Sequence, residues 1–302
     1  MVKNIEASVK TKLLHIARNS KSNISFDYIL LRYMQEKLLE RLVNSKYSSN
    51  FILKGGLMFL IYKNDNPRVT KDIDFLGDKI DNSATKILDV FKEILGIELN
   101  DALIFDIESI KSETIKEDAD YEGIRIVVTC YLGKAKKNLQ IDIGYGDDIY
   151  PGIQYTKFPS LLGNDIENVA VYSKETIIAE KFEAMIKLSL LNSRMKDFYD
   201  IYTLINNNNF VGEDVKTAII RTFKNRYTNL ENNPLIFRED FYKDSTKLSQ
   251  WKAFIKQSKL ENIEFEKIIS EIKEFLTEII ESIMNKNVIR KNWDFKMKKW
   301  ID

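Results

Sequence analysis

Residues 50–75 read NFILKGGLMFLIYKNDNPRVTKDIDF. The apolar run from Phe51 to Leu53, the pair Gly55 and Gly56, and the apolar stretch from Leu57 to Tyr62 predict a short strand, a glycine turn and one helix in succession. Lys63 to Val69 is polar, contains Pro67, and is expected to be a loop. Thr70 to Phe75 reads as a second strand, with Ile73 and Phe75 on one face and Asp72 and Asp74 on the other. Residues two apart on a strand lie about 6.5 to 7 Å from each other on the same side. That is close enough for two carboxylates to share a metal centre.

The flanking segments extend this unit in both directions. Upstream, residues 5–17 and 26–42 have helical periodicity, with Ser25 available as an N-cap for the second. Downstream, a helix is expected over 83–95, then strands over 103–110, 123–132 and 139–143. Helix and strand alternate, so the fold class is α/β, built on a mixed sheet. Residues 144–170 carry several glycines together with Pro151 and Pro159 and are expected to form a loop. From Ser173 the periodicity is helical, over 174–191, 194–206, 213–224, 238–256 and 263–284. The expected organisation is a domain at 1–165 with its N-terminal helices, followed by a helical lobe at 166–302.

Composition bounds the chemistry. The chain has 302 residues, enough to bury a sizeable core in one or two domains. With 46 basic against 45 acidic residues the net charge is +1, so no global basic field advertises nucleic-acid binding. The single cysteine, Cys130 in IVVTCYL, predicts a buried thiol and favours a reducing compartment. His15 has no cysteine or histidine partner, which argues against zinc. Gly55 and Gly56 are not followed by the Gly-Lys-Ser/Thr of a Walker A loop. No apolar stretch approaches the roughly 18 to 20 residues of a membrane span, and the N-terminus lacks the apolar core of a signal peptide. A soluble cytoplasmic protein with no membrane partner is expected.

Asp142 in LQIDIG would join Asp72 and Asp74 from a neighbouring strand, since Ile141 and Ile143 would face the core. Hard carboxylate oxygens suit Mg2+ or Mn2+, with substrate phosphates completing the shell. An Asp-x-Asp pair alone is also what a solvated strand edge presents, and a glycine pair alone is also a tight turn. Their succession is more specific, because glycines before a helix let backbone N–H groups approach phosphate oxygens.

In this order LKGGLMFLIY, VTKDIDF and LQIDI resemble the glycine motif, paired aspartates and distal aspartate of the polymerase-beta-like nucleotidyltransferase superfamily. The chain more specifically resembles the AbiEii/AbiGii toxins of abortive-infection and toxin-antitoxin systems, which act in antiviral defence. SKETIIAEKFEAMIK at 173–187 and RMKDFYDIYTL at 194–204 resemble that family's third and fourth motifs. The resemblance covers about residues 50–205. It implies that Gly55 and Gly56 contact the triphosphate of an NTP and that Asp72 and Asp74 bind metal. It also implies that Lys181 meets the nucleotide phosphates and that Asp197 completes the active site. A second glycine stands where many members of the superfamily have serine.

The resemblance further implies transfer of a nucleoside monophosphate to an acceptor, either an RNA such as the 3′ end of a tRNA or a protein side chain, and a cognate antitoxin. Asp142 and Asp197 are the carboxylates available to take the acceptor proton. For RNA contact, Lys134, Lys136, Lys137 and the run KNVIRKNWDFKMKKW offer basic and aromatic groups; a solvated loop and an amphipathic tail explain them as well. Periodicity alone would make Lys181 an ordinary surface charge in helical pairs, and Asp200 a buttress bonded to a neighbour such as Arg194. A phosphotransferase using the same acidic centre, or a binding module whose acids are structural, are the competing readings.

Overall fold

The computed structural model describes residues 5–20, 24–62, 68–117 and 121–302. The chain divides into two compact units, one of residues 1–61, 69–146 and 154–171, the other of residues 62–68, 147–153 and 172–302.

The first unit opens with helices α1 (Ile5–Asn19) and α2 (Phe26–Val43). The Ser25 hydroxyl accepts the Tyr28 N–H, so the expected cap is the real one. Strand β1 (Phe51–Lys54) leads into a 3-10 helix that begins at Gly55 itself and ends at Leu60. The expected α-helix from Leu57 is thus replaced by a tighter and earlier turn. Strand β2 (Asp72–Gly77) begins two residues later than its apolar pattern suggested, and α3 (Ala84–Leu95) follows. Strand β3 (Leu103–Glu117) runs seven residues beyond its predicted end, β4 (Tyr121–Leu132) starts two residues early and ends where predicted, and β5 (Ala135–Tyr145) extends past its prediction on both sides. The region expected to be a loop contains two more strands, β6 (Gln154–Phe158) and β7 (Ile166–Val171).

These strands form one mixed sheet in the order β3-β4-β5-β2-β1-β7-β6. β2 runs parallel to β5 and antiparallel to β1, while β7 runs parallel to β1. One face is apolar, with Leu53, Ile73, Phe75, Ile126, Ile141 and Ile143 buried. Phe51 meets Phe75 and Phe91 edge-on, at 5.9 and 5.1 Å between ring centroids, joining β1, β2 and α3. Burying each such side chain contributes about 1.5 to 3 kcal/mol, so this cluster fixes the two central strands firmly. Cys130 lies within the same unit as a buried free thiol, its pKa pushed up to about 12 by desolvation.

The second unit is mainly helical: α4 (Lys174–Leu188), α5 (Met195–Asn207), α6 (Gly212–Asn225), α7 (Glu239–Tyr242), α8 (Ser245–Ser258) and α9 (Phe265–Met284). The single helix expected over 238–256 is two, because the Asp244 carboxylate accepts the N–H groups of Thr246 and Lys247 and starts α8. The unit also holds a small sheet absent from the sequence reading, β10-β9-β8, from β8 (Phe210–Val211), β9 (Asn292–Asp294) and β10 (Lys299–Ile301).

Candidate active site

On the first unit, a row of charged side chains crosses the sheet. Lys54 of β1 is in register with Asp74 of β2, Asp74 with Asp142 of β5, and Asp142 with Arg125 of β4. Glu113 of β3 extends the row beyond Arg125. Residues opposite one another in paired strands share a face, and alternation puts Asp72 there too, in register with Gln140. The sequence-derived carboxylates Asp72, Asp74 and Asp142 are therefore brought onto one face, opposite the buried isoleucines. Lys54, Arg125 and Gln140 belong to the same patch and were not singled out in the sequence.

Gly55 is placed against this patch. A Cβ built on it would fall 1.9 Å from Oδ2 of Asp74, and its φ of +71° lies in the left-handed region. Both the backbone conformation and the space therefore demand glycine. Gly56 follows as a buried residue of the 3-10 helix.

Asp142 is held from two strands. Arg125 donates to both of its oxygens, Nε to Oδ1 at 2.8 Å and Nη2 to Oδ2 at 2.9 Å, and Gln140 Nε2 donates to Oδ2 at 3.0 Å. Hydrogen bonding to Asp142, with the charges of Asp142, Glu113 and Asp72, holds the Arg125 guanidinium pKa above its ordinary value. Among the described residues no three or more His, Cys, Asp or Glu side chains are gathered as a ready metal cage. Hard carboxylate donors that form only part of a shell are nevertheless what Mg2+ accepts when substrate phosphates and water supply the rest. The donor set on this face fits such an ion.

The second unit carries the other sequence-derived residues. Lys181 of α4 is not an ordinary surface lysine, as periodicity alone would have it. Its Nζ is 2.8 Å from Oδ1 of Asp197 and 2.7 Å from Oδ2 of Asp200, both aspartates lying on α5 and fully buried. Arg194 Nε stands 2.7 Å from the other Asp197 oxygen, and Arg68 grips Asp200. The expected partnership of Asp200 with Arg194 is thus corrected: Arg194 serves Asp197, and Asp200 takes Arg68 and Lys181. The result is an alternating chain of charges, Arg68, Asp200, Lys181, Asp197, Arg194. Burial alone would push the Lys181 ammonium down, but the two aspartates outweigh it and raise its pKa. Burial would likewise raise both carboxyls, and the neighbouring cations hold them below the ordinary range instead.

Residues 37–278 match the family described as "Nucleotidyl transferase AbiEii toxin, Type IV TA system". The chain belongs to the AbiEii nucleotidyltransferase toxin family. A crystal structure from H. pylori, described as that of a candidate nucleotidyltransferase, shares the fold with a TM-score of 0.52 at 18% identity, over 88% of this chain and 100% of that one. A second, JHP933 from Helicobacter pylori, gives 0.50 at 16% identity, over 87% and 95%. No curated protein matches the chain.

Membership in the AbiEii family makes the chain a nucleotidyltransferase, of a kind that generally uses an NTP and a divalent metal, and its type IV toxin-antitoxin setting implies an antitoxin. No described helix is long and apolar enough to cross a membrane. Of the aromatic groups that the C-terminal run was expected to offer RNA, the two tryptophans are corrected. Trp293 and Trp300 are buried, their indole N–H groups donated to the carbonyls of Ile205 and Phe275. Lys291 and Lys298 are paired with Glu278 and Glu271. On the β4–β5 hairpin, Lys137 is paired with Asp27.

Proposed function

We propose that this AbiEii-family chain transfers a nucleoside monophosphate from an NTP to an RNA acceptor, with the 3′ end of a tRNA as the first candidate. It would act in the cytoplasm as the toxin of an abortive-infection defence against phage. The observation that carries the reading is the contact of Gly55 with Asp74, which sets bare backbone beside a carboxylate on the face shared by Asp72 and Asp142. The RNA acceptor rests on the behaviour the family resemblance implies.

In this reading Asp72 and Asp74, joined by Asp142, hold Mg2+ or Mn2+, and Gly55 and Gly56 admit the triphosphate. When bound, the ion would lower the pKa of the acceptor hydroxyl and neutralise charge on the phosphates. The acceptor oxygen forms its bond to the α-phosphorus as the bond from that phosphorus to the bridging oxygen breaks, and pyrophosphate leaves. Lys181 supplies positive charge to the phosphates. Asp197, whose depressed pKa makes it a weak proton acceptor, holds and orients Lys181. Asp142 is the remaining carboxylate for the acceptor proton.

The test is incubation with each α-labelled NTP, Mg2+ or Mn2+, and total cellular RNA and protein, comparing wild type with Asp72→Asn. Label in RNA with the wild type alone is the expected result. Label in protein would reassign the acceptor. Movement of γ-label instead would establish phosphoryl transfer, and activity unchanged in Asp72→Asn would remove the acidic face from the chemistry.

A further inference from the structure

We propose that Arg125 is a resident counter-cation that competes with the divalent metal for Asp142 and thereby lowers the metal affinity of the centre. The inference rests on the reading of Asp72, Asp74 and Asp142 as the metal-holding carboxylates.

Three features carry it. First, the pair is built into the sheet: Arg125 and Asp142 are directly in register on β4 and β5, and the guanidinium meets both oxygens in the fork geometry at 2.8 and 2.9 Å. An incoming ion that uses Asp142 must take oxygens already engaged by a cation. Second, the two partners differ in freedom. Asp142 is buried and is held from its own strand by Gln140, whereas the Arg125 side chain is 32% exposed. The cation, rather than the carboxylate, is the group able to swing away. Third, a second acceptor waits on the far side, because Glu113 Oε1 lies 3.9 Å from Arg125 Nη1. Arg125 can leave Asp142 without surrendering every anionic partner, so the exchange of one cation for another is local.

A divalent ion held by Asp72 and Asp74 would also repel Arg125, since Asp74 is the registered neighbour of Asp142. Metal entry and release of Arg125 would then favour each other. A pair that only stitches β4 to β5 would show no such linkage.

The experiment is an Mn2+ titration of the full chain without nucleotide, free Mn2+ being followed by its electron paramagnetic resonance signal. It compares wild type, Arg125→Gln, Asp142→Asn and the double variant, with folding checked by circular dichroism. Arg125→Gln is expected to bind Mn2+ about tenfold more tightly than wild type, and the double variant no more tightly than Asp142→Asn alone. Affinity unchanged or weakened in Arg125→Gln, or a tightening that persists in the double variant, overturns the proposal. If Arg125→Gln does not fold, Arg125→Lys keeps a charge but loses the fork, and about threefold tighter binding is expected; no tightening there overturns the proposal equally. Asp72→Asn and Asp74→Asn separate the two levels. If they weaken Mn2+ binding while the arginine variants leave it unchanged, only the competition fails; if they leave it intact, the metal reading fails and the competition with it.

Discussion

Arg68 grips Asp200 at both carboxylate oxygens, Nε to Oδ1 at 2.7 Å and Nη2 to Oδ2 at 2.8 Å, between residues 132 positions apart in the chain. Asp200 is fully buried and also receives Lys181 at 2.7 Å, so it touches two cations at once. Removing its charge takes away the buried anion that lies between Arg68 and Lys181. Breaking one side of a buried pair costs about 3 to 5 kcal/mol. Asp200→Asn is therefore expected to lose on the order of 3 kcal/mol of unfolding free energy in urea. A loss under 1 kcal/mol would mean that the pairing is not the source of stability assigned to it.

Gly55 makes a sharper test of the acidic face. Gly163 also has a positive φ, of +99°, but a Cβ there would meet nothing within 4 Å, whereas at Gly55 it would collide with the Asp74 carboxylate. Gly163→Ala should incur backbone strain of about 1 to 2 kcal/mol and no loss of activity. Gly55→Ala pays a similar strain and must also displace Asp74, so nucleotidyl transfer should fall at least about 100-fold, roughly 2.7 kcal/mol in barrier. Equal activity in the two variants, measured with α-labelled NTP, would detach Gly55 from the chemistry.

The central strands were legible because their patterns are local: Ile73 and Phe75 alternate with Asp72 and Asp74 within one short segment, and each half of that alternation goes where the pleat sends it. β7 was hidden because its buried residues, Ile166, Val169, Ala170 and Val171, are interrupted by Glu167 and by Asn168 at a positive φ of 57°. β6 is an edge strand that shows only Phe158 as a fully buried side chain, so its composition reads as loop. The Asp244 cap that splits α7 from α8 was visible as Asp-Ser-Thr and was overridden by apolar periodicity. The ionic partners were the least legible. Nothing near Arg68 names Asp200, and Arg125 reaches Asp142 only because two antiparallel strands settle in one register out of several.

The C-terminal tryptophans separate a packing role from a nucleic-acid role. Trp293 meets Phe275 edge-on at 5.0 Å and Trp300 stacks on it at 5.1 Å, and each indole donates its N–H to a backbone carbonyl. Trp300→Phe keeps a ring but loses the indole hydrogen bond to the Phe275 carbonyl, which costs about 0.5 to 1.5 kcal/mol. Thermal unfolding should shift accordingly, while RNA retention in a filter-binding assay stays at the wild-type level. Weakened RNA binding without a change in melting temperature would restore the stacking role this burial denies.

Glu36 gives the fold a pH dependence of unusual sign for a carboxylate. It is buried on α2, accepts Arg32 Nε at 2.9 Å and the Leu161 N–H at 2.8 Å, and its pKa is nevertheless raised by burial from 4.5 to about 7. A folded-state pKa above the unfolded one means that the native chain binds the extra proton. The associated stability is full below pH 4.5 and is lost as pH rises towards 7, over a range worth on the order of 3 kcal/mol. Glu36→Gln removes the titration while keeping an acceptor for Leu161. Urea unfolding at pH 5 and pH 8 should therefore show a smaller difference for Glu36→Gln than for wild type, the wild type being relatively the more stable at pH 5. An identical pH response in the two proteins would mean that Arg32 and Leu161 keep Glu36 ionised throughout, and that burial does not win.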